Sequence, residues 1–93
     1  MQNVPEQLDG ATVISVAPST PGQTGIDYQS GEPIAIEYFA VAQYPDDQPR
    51  AYLFGVSVDH RVVCDYLDDS IEEAQMQAVR NGWVQPSAWR PRG

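Results

Sequence analysis

The chain contains no lysine, a single cysteine and no long apolar run, and each shortage removes a class of explanation. One cysteine, Cys64, cannot close a disulfide within the chain, which agrees with a reducing compartment. No apolar stretch approaches the roughly 18 to 20 residues that a membrane-spanning helix needs, so no membrane partner is expected. The first ten residues, MQNVPEQLDG, have neither the basic nor the apolar part of a secretory signal, and the chain reads as cytoplasmic. With lysine absent, positive charge rests on five arginines against 13 aspartates and glutamates, for a net charge of −8. Such a body repels phosphate backbones, which argues against nucleic-acid binding, and would steer a basic protein toward it.

Signatures of chemistry are missing as well. His60 and Cys64 are the one pair that could act as base and nucleophile, but a turn-tip His60 and an inward-facing Cys64 would not converge. Joined by Asp59 and Asp65 they still match no metal-ligand spacing. The acidic run Asp65, Asp68, Asp69, Glu72 and Glu73 lacks the alternating acids followed by glycine of a calcium loop, and the glycine-containing PGQTG and SGEP match neither phosphate-binding pattern. No catalytic residue, metal or cofactor is therefore expected, and the reading leans away from an enzyme.

What is present is clearest between Ala51 and Gly82. AYLFGVSV (51 to 58) and VVCDYL (62 to 67) are rich in β-branched and aromatic residues, and only Asp59, His60 and Arg61 separate them, which predicts a hairpin. Pairing Val58 with Val62 sets Val56 against Cys64 and Phe54 against Tyr66, making one wholly apolar face; a one-residue slip would put Phe54 beside Asp65. Arg61 then takes the left-handed turn position, where glycine or asparagine is usual. Downstream, Ser70 and Glu73 form a helix-start box, and acids at 68, 69, 72 and 73 sit at the positive end of the helix dipole. Ile71, Ala74, Ala78 and Val79 give a narrow apolar stripe, Asn81 and Gly82 a left-handed cap, and Trp83 folds back near Ala78. This helix is expected to cover the hairpin's apolar face.

The rest of the chain is less regular. Residues 1 to 10 read as a loose lead-in, and residues 11 to 17 (ATVISVA) as a strand. Residues 18 to 33, with three prolines and three glycines, read as a long loop in which Ile26 to Tyr28 could add a short strand. IAIEYFAVAQY (34 to 44) suits a central strand better than a helix, and PDDQPR (45 to 50) is a plausible hairpin connection. Residues 84 to 93 form a tail with two prolines, Trp89, Arg90 and Arg92 that either packs in extended form or hangs free. At 93 residues this is a single domain. The expected class is α+β: an antiparallel meander of three to four strands, the 11 to 17 strand at one edge, with one C-terminal helix on a face.

Function is expected to follow charge. The leading reading is a small acidic non-enzymatic protein-interaction module of inhibitor, immunity or anti-defence type, or an accessory subunit, whose partner is another protein with a basic surface. Its binding residues would be Asp46, Asp47, Asp65, Asp68, Asp69, Glu72 and Glu73, together with Trp89, Arg90 and Arg92, since tryptophan and arginine are enriched at binding hot spots. Two alternatives stand beside it. One is a small-molecule-binding domain or minor enzyme using an open sheet face with Tyr28, Tyr38 or Tyr44; the other is a homo-oligomer that buries an unpaired strand edge.

Overall fold

The computed structural model describes residues 3–92. β1 (Gln7–Leu8) turns through Asp9 and Gly10 onto β2 (Ala11–Pro18), and β3 (Thr24–Ile26) pairs with β4 (Pro33–Ala35) as a separate ribbon. The meander follows: β5 (Tyr38–Gln43), β6 (Ala51–Val56) and β7 (Val62–Asp68), each antiparallel to the last. α1 (Ile71–Arg80) comes next, and β8 (Arg90–Pro91) returns the chain to the sheet. The main sheet has the order β1-β2-β5-β6-β7, with β8 sharing the outer side of β2 with β1.

The α+β class stands, but the sheet has six strands rather than three to four. The additional strands are the ones too short to show a sequence period. β1 belongs to the stretch expected to be a loose lead-in, yet Leu8 is 4% exposed and Val4 packs beside it; Met1 and Gln2 lie outside the described residues. The 11 to 17 strand, expected at one edge, is β2: it pairs with β5 and is no edge, because β1 covers Ala11 and Thr12 while β8 covers Ser15 and Val16. The expected long loop contains the β3–β4 ribbon, and the expected strand from 34 to 44 is divided at Ile36 and Glu37. There Ile36 donates its amide to the Gln23 carbonyl and Glu37 donates to that of Val56.

β5 shows why a strand beats a helix in this segment. All six of its residues are buried, and alternation sends Phe39 and Val41 to one side of the sheet and Tyr38, Ala40 and Ala42 to the other. Two cores result. On one side Phe39, Val41, Ala51 and Leu53 meet Ala74 and Ala78 of α1, with Val84 and Trp83 closing the layer. On the other the sheet curls over Leu8, Val13, Val16, Tyr38, Phe54 and Val56.

Two covered faces also correct the expected hairpin register. Phe54 opposes Asp65, Leu53 opposes Tyr66 and Gly55 opposes Cys64, with an irregularity before the Val56–Val62 pair. The expectation maximised burial on one face of an isolated ribbon. Within the wider sheet, Phe54 and Val56 bury against Tyr38 and Val16, on the side away from the helix. Tyr66 and Cys64 fall on the helix side, where Trp83 stacks between Tyr66 and Phe39 at centroid distances of 5.1 and 5.6 Å. Asp65 is left exposed. The strands part at Val56 rather than Val58, so the turn runs from Ser57 to Arg61 and its left-handed residue is His60 (φ 64°), not Arg61.

The helix forms as its caps require. Ser70 Oγ accepts the Glu73 amide proton at 3.1 Å, and Ala74 and Ala78 are fully buried. At the other end Gly82 takes φ 73°, a conformation that costs other residues a Cβ clash, and the Trp83 amide donates back to the Ala78 carbonyl at 2.9 Å.

Candidate functional site

Three surfaces bear on function, and each collects residues from separate parts of the chain. The first is the β6–β7 turn. Ser57, fully buried, donates its hydroxyl to the Asp59 carboxylate and accepts the Arg61 amide at 3.1 Å. Arg61 then binds both Asp59 (2.9 Å) and Asp27 (3.2 Å), the latter delivered from 34 residues away by the loop after β3. The Gln29 amide and then Arg61 hold Asp27 below the usual carboxylate range, and the Ser57 hydroxyl and then Arg61 do the same for Asp59. His60 is drawn inward, its Nδ1 2.8 Å from the Tyr38 hydroxyl. Burial pushes Tyr38 up to about 12, so the phenol stays protonated.

This turn overlooks a cleft of about 400 Å³ between the two ends of the sheet, with Leu8 of β1 on one wall and Val62 and Val63 of β7 on the other. Tyr28, 72% exposed, stands at its rim with Asp9, Asp27 and His60. His60 and Cys64 do not converge. Cys64 lies beside Tyr66 and Trp83 in a separate small recess, where burial pushes its thiol above the usual value. Among the described residues no three His, Cys, Asp or Glu side chains are grouped as a metal site would require.

The second surface is the acidic end. Asp65 and Asp68 lie on β7, Asp69 follows, and Glu72 and Glu73 occupy the first turn of α1. Asp46 and Asp47 are in the 3₁₀ turn between β5 and β6, whose following residue Arg50 binds Asp47 and lies within electrostatic reach of Asp69, so both acidic runs sit at the same end of the sheet. Asp68 is the unusual member. Desolvation, and then Glu73, raise it above the ordinary carboxylate value, and its Oδ2 is buried without a hydrogen-bond partner.

The third surface is the C-terminal segment. Trp89 donates Nε1–H to the Gln75 carbonyl at 3.2 Å and packs on the helix-side core. Arg92 donates to the carbonyls of Val4 (3.0 Å) and Pro5 (3.1 Å), tying the two chain ends together. Arg90 is exposed and turns its guanidinium to the carbonyls of Ser87 and Trp89. The structure therefore places Trp89 and Arg92 in an intramolecular clasp, apart from the acids.

The Tyr38–His60 and Arg61–Asp27 pairs escaped sequence reasoning, since separations of 22 and 34 residues carry no periodic signal. No protein-family model matches the chain, and neither the curated proteins nor the solved structures give a match. No helix is long and apolar enough to cross a membrane among the described residues.

Proposed function

We propose that this chain is a small acidic, non-enzymatic protein-interaction module that binds a partner presenting a basic surface, as an inhibitor, immunity-type or anti-defence protein or an accessory subunit does. The distribution of ion pairs carries the reading. Every arginine is engaged inside the fold: Arg50 with Asp47, Arg61 with Asp27 and Asp59, Arg80 with Glu73, and Arg90 and Arg92 with backbone carbonyls. Among the described residues, Asp46, Asp65, Asp68, Asp69 and Glu72 have no salt bridge at all. A surface that has spent its cations and kept its anions has field left over for a cationic partner, which accelerates encounter and fixes orientation.

The test is a captured partner and a charge-reversed competitor. Asp65→Lys, Asp69→Lys and Glu72→Lys change exposed side chains and should leave the circular dichroism spectrum unchanged. The reversed protein is expected to lose capture of whatever the native chain binds, and capture of wild type is expected to fade with added salt. Equal capture by both proteins would remove the electrostatic reading.

A second reading is favoured by the cleft beside His60, where an apolar floor and a few polar groups are the ordinary make-up of a small-molecule site. With His60 neutral, a phenol donating to Nδ1 leaves the ring proton on Nε2. Loss of ligand-induced thermal stabilisation in Tyr28→Ala and His60→Ala, with the acidic end intact, would support it.

A further inference from the structure

The two borders of the main sheet are treated differently. The outer side of β2 is covered by the chain's own ends, β1 over Ala11 and Thr12 and β8 over Ser15 and Val16, and Arg92 locks these ends together. The outer side of β7 receives no such cover. The β3–β4 ribbon lies against its first part, where Gly25 is so near Val63 that a Cβ would stand 2.5 Å from the Val63 carbonyl oxygen, and Gln23 and Thr24 share a recess with Cys64 and Tyr66, but it adds no ladder to β7. From Cys64 to Asp68, among the described residues, the backbone bonds β6 and no other strand.

An open edge usually carries devices that stop strands from adding to it, lysine or proline above all. This one has neither. It presents Tyr66 (38% exposed) and Leu67 (46%) with Asp65 and Asp68, and Tyr28 from the loop after β3 lies within electrostatic reach of Tyr66. Alternation along β7 thus offers apolar contact on both faces of an incoming strand, framed by negative charge. The same charge rejects a second copy. Two antiparallel β7 strands paired about Leu67 would set Asp65 of each against Asp69 of the other, and like charges across a strand pair are destabilising. A strand carrying arginine or lysine at alternate positions meets the opposite condition.

We propose that the open edge of β7, from Cys64 to Asp68, takes an extended basic segment of another protein as an added antiparallel or parallel strand. This rests on the acidic-module reading above and names its contact surface: main-chain hydrogen bonds hold the segment, and Asp65 and Asp69 select its charge.

The probe is a synthetic peptide of about eight residues alternating arginine and valine, a typical strand length. Its control is the same peptide N-methylated at two successive central residues, which keeps charge and side chains but blocks a ladder donor on each edge of the strand. Binding is followed by amide chemical shifts and hydrogen exchange on the native protein. The edge mode predicts protection of amides between Cys64 and Asp68, at least about tenfold weaker binding of the N-methylated peptide, and a similar loss in Asp65→Lys/Asp69→Lys. Equal binding of the two peptides, or shifts at Glu72 and Glu73 with none at 64–68, would overturn the edge while leaving the acidic-module reading intact. No peptide binding even at low salt would overturn both. Concentration-dependent self-association that protects the same amides would overturn the choice of a basic partner.

Discussion

The turn from Ser57 to Arg61 and the acidic end around Asp68 are built from the same residue types and come to opposite states. At the turn two carboxylates share one arginine, Asp59 also takes the hydroxyl of buried Ser57, and both acids are held below their ordinary range. At the acidic end desolvation, and then Glu73 and Asp69, raise Asp68, with Arg80 opposing them. Charge that is paired internally serves the fold; charge left unpaired is held against the fold's own electrostatics.

Removing Ser57 would break this contrast most severely. Its hydroxyl is fully buried and bridges the Asp59 carboxylate and the Arg61 amide, so Ser57→Ala deletes a hydrogen bond to a charged group and orphans a donor, at about 2 kcal/mol. Urea denaturation measures it. A cost no greater than that of an exposed serine would show that the turn is not held by its charges.

At the acidic end the corresponding serine acts through the helix rather than through ion pairs. Ser70→Ala removes the acceptor of the Glu73 amide and is expected to lower stability by about 1 kcal/mol, as helix caps do. Replacing exposed Asp65 of β7 by Asn should stay within about 0.5 kcal/mol. Denaturation midpoints of the two variants, compared directly, separate structural residues from spare charge. A large loss in Asp65→Asn would mean that the acids support the fold.

Arg61→Gln sharpens the comparison from the other side. It strips the shared cation from Asp27 and Asp59, so the unfolding midpoint should fall by less than in Ser57→Ala, and the difference from wild type should shrink in high salt. A salt-independent loss would assign the role of Arg61 to packing.

How much of this could be read in the chain depends on how local the cause is. The helix from Ile71 to Arg80 was legible because Ser70, Glu73, Gly82 and Trp83 act on backbone groups within a few residues. Four of the sheet's strands, β2 and β5 to β7, were legible because each is marked by β-branched or aromatic residues, although β7 fully buries only Val63. β1 and β8, at two residues each, hold no period; they form because Leu8 joins the core around Tyr38 and Phe54 and Arg92 reaches the carbonyls of Val4 and Pro5 at the other end of the chain. The register of β6 on β7 failed for a related reason. It is decided by what lies above and below the whole sheet, by Trp83 over Tyr66 and by Tyr38 and Val16 around Phe54, and two strands taken alone contain none of that. The acidic end was visible as contiguous letters, whereas the His60 cleft is assembled from β1, the loop after β3 and the β6–β7 turn and has no linear trace.

The smallest expected effect is also the one that separates the two regions by sign. Asp68 has a folded pKa above its unfolded value, so its ionised form opposes folding at neutral pH, and stability is regained as pH falls through that raised value. Asp27 and Asp59 have lowered folded values, so they stabilise above the ordinary carboxylate range and lose that contribution as pH falls below it. The two windows lie on opposite sides of the ordinary value. Asp68→Asn should therefore gain up to about 0.5 kcal/mol near neutrality and abolish the rise seen on mild acidification, while leaving the loss at lower pH untouched. Arg61→Gln should do the reverse, weakening the low-pH loss and keeping the rise. Thermal unfolding of wild type and both variants across that range checks the pair; a mild-acid rise that persists in Asp68→Asn would mean that the surplus carboxylates act as a diffuse field and that no single buried acid marks the acidic end.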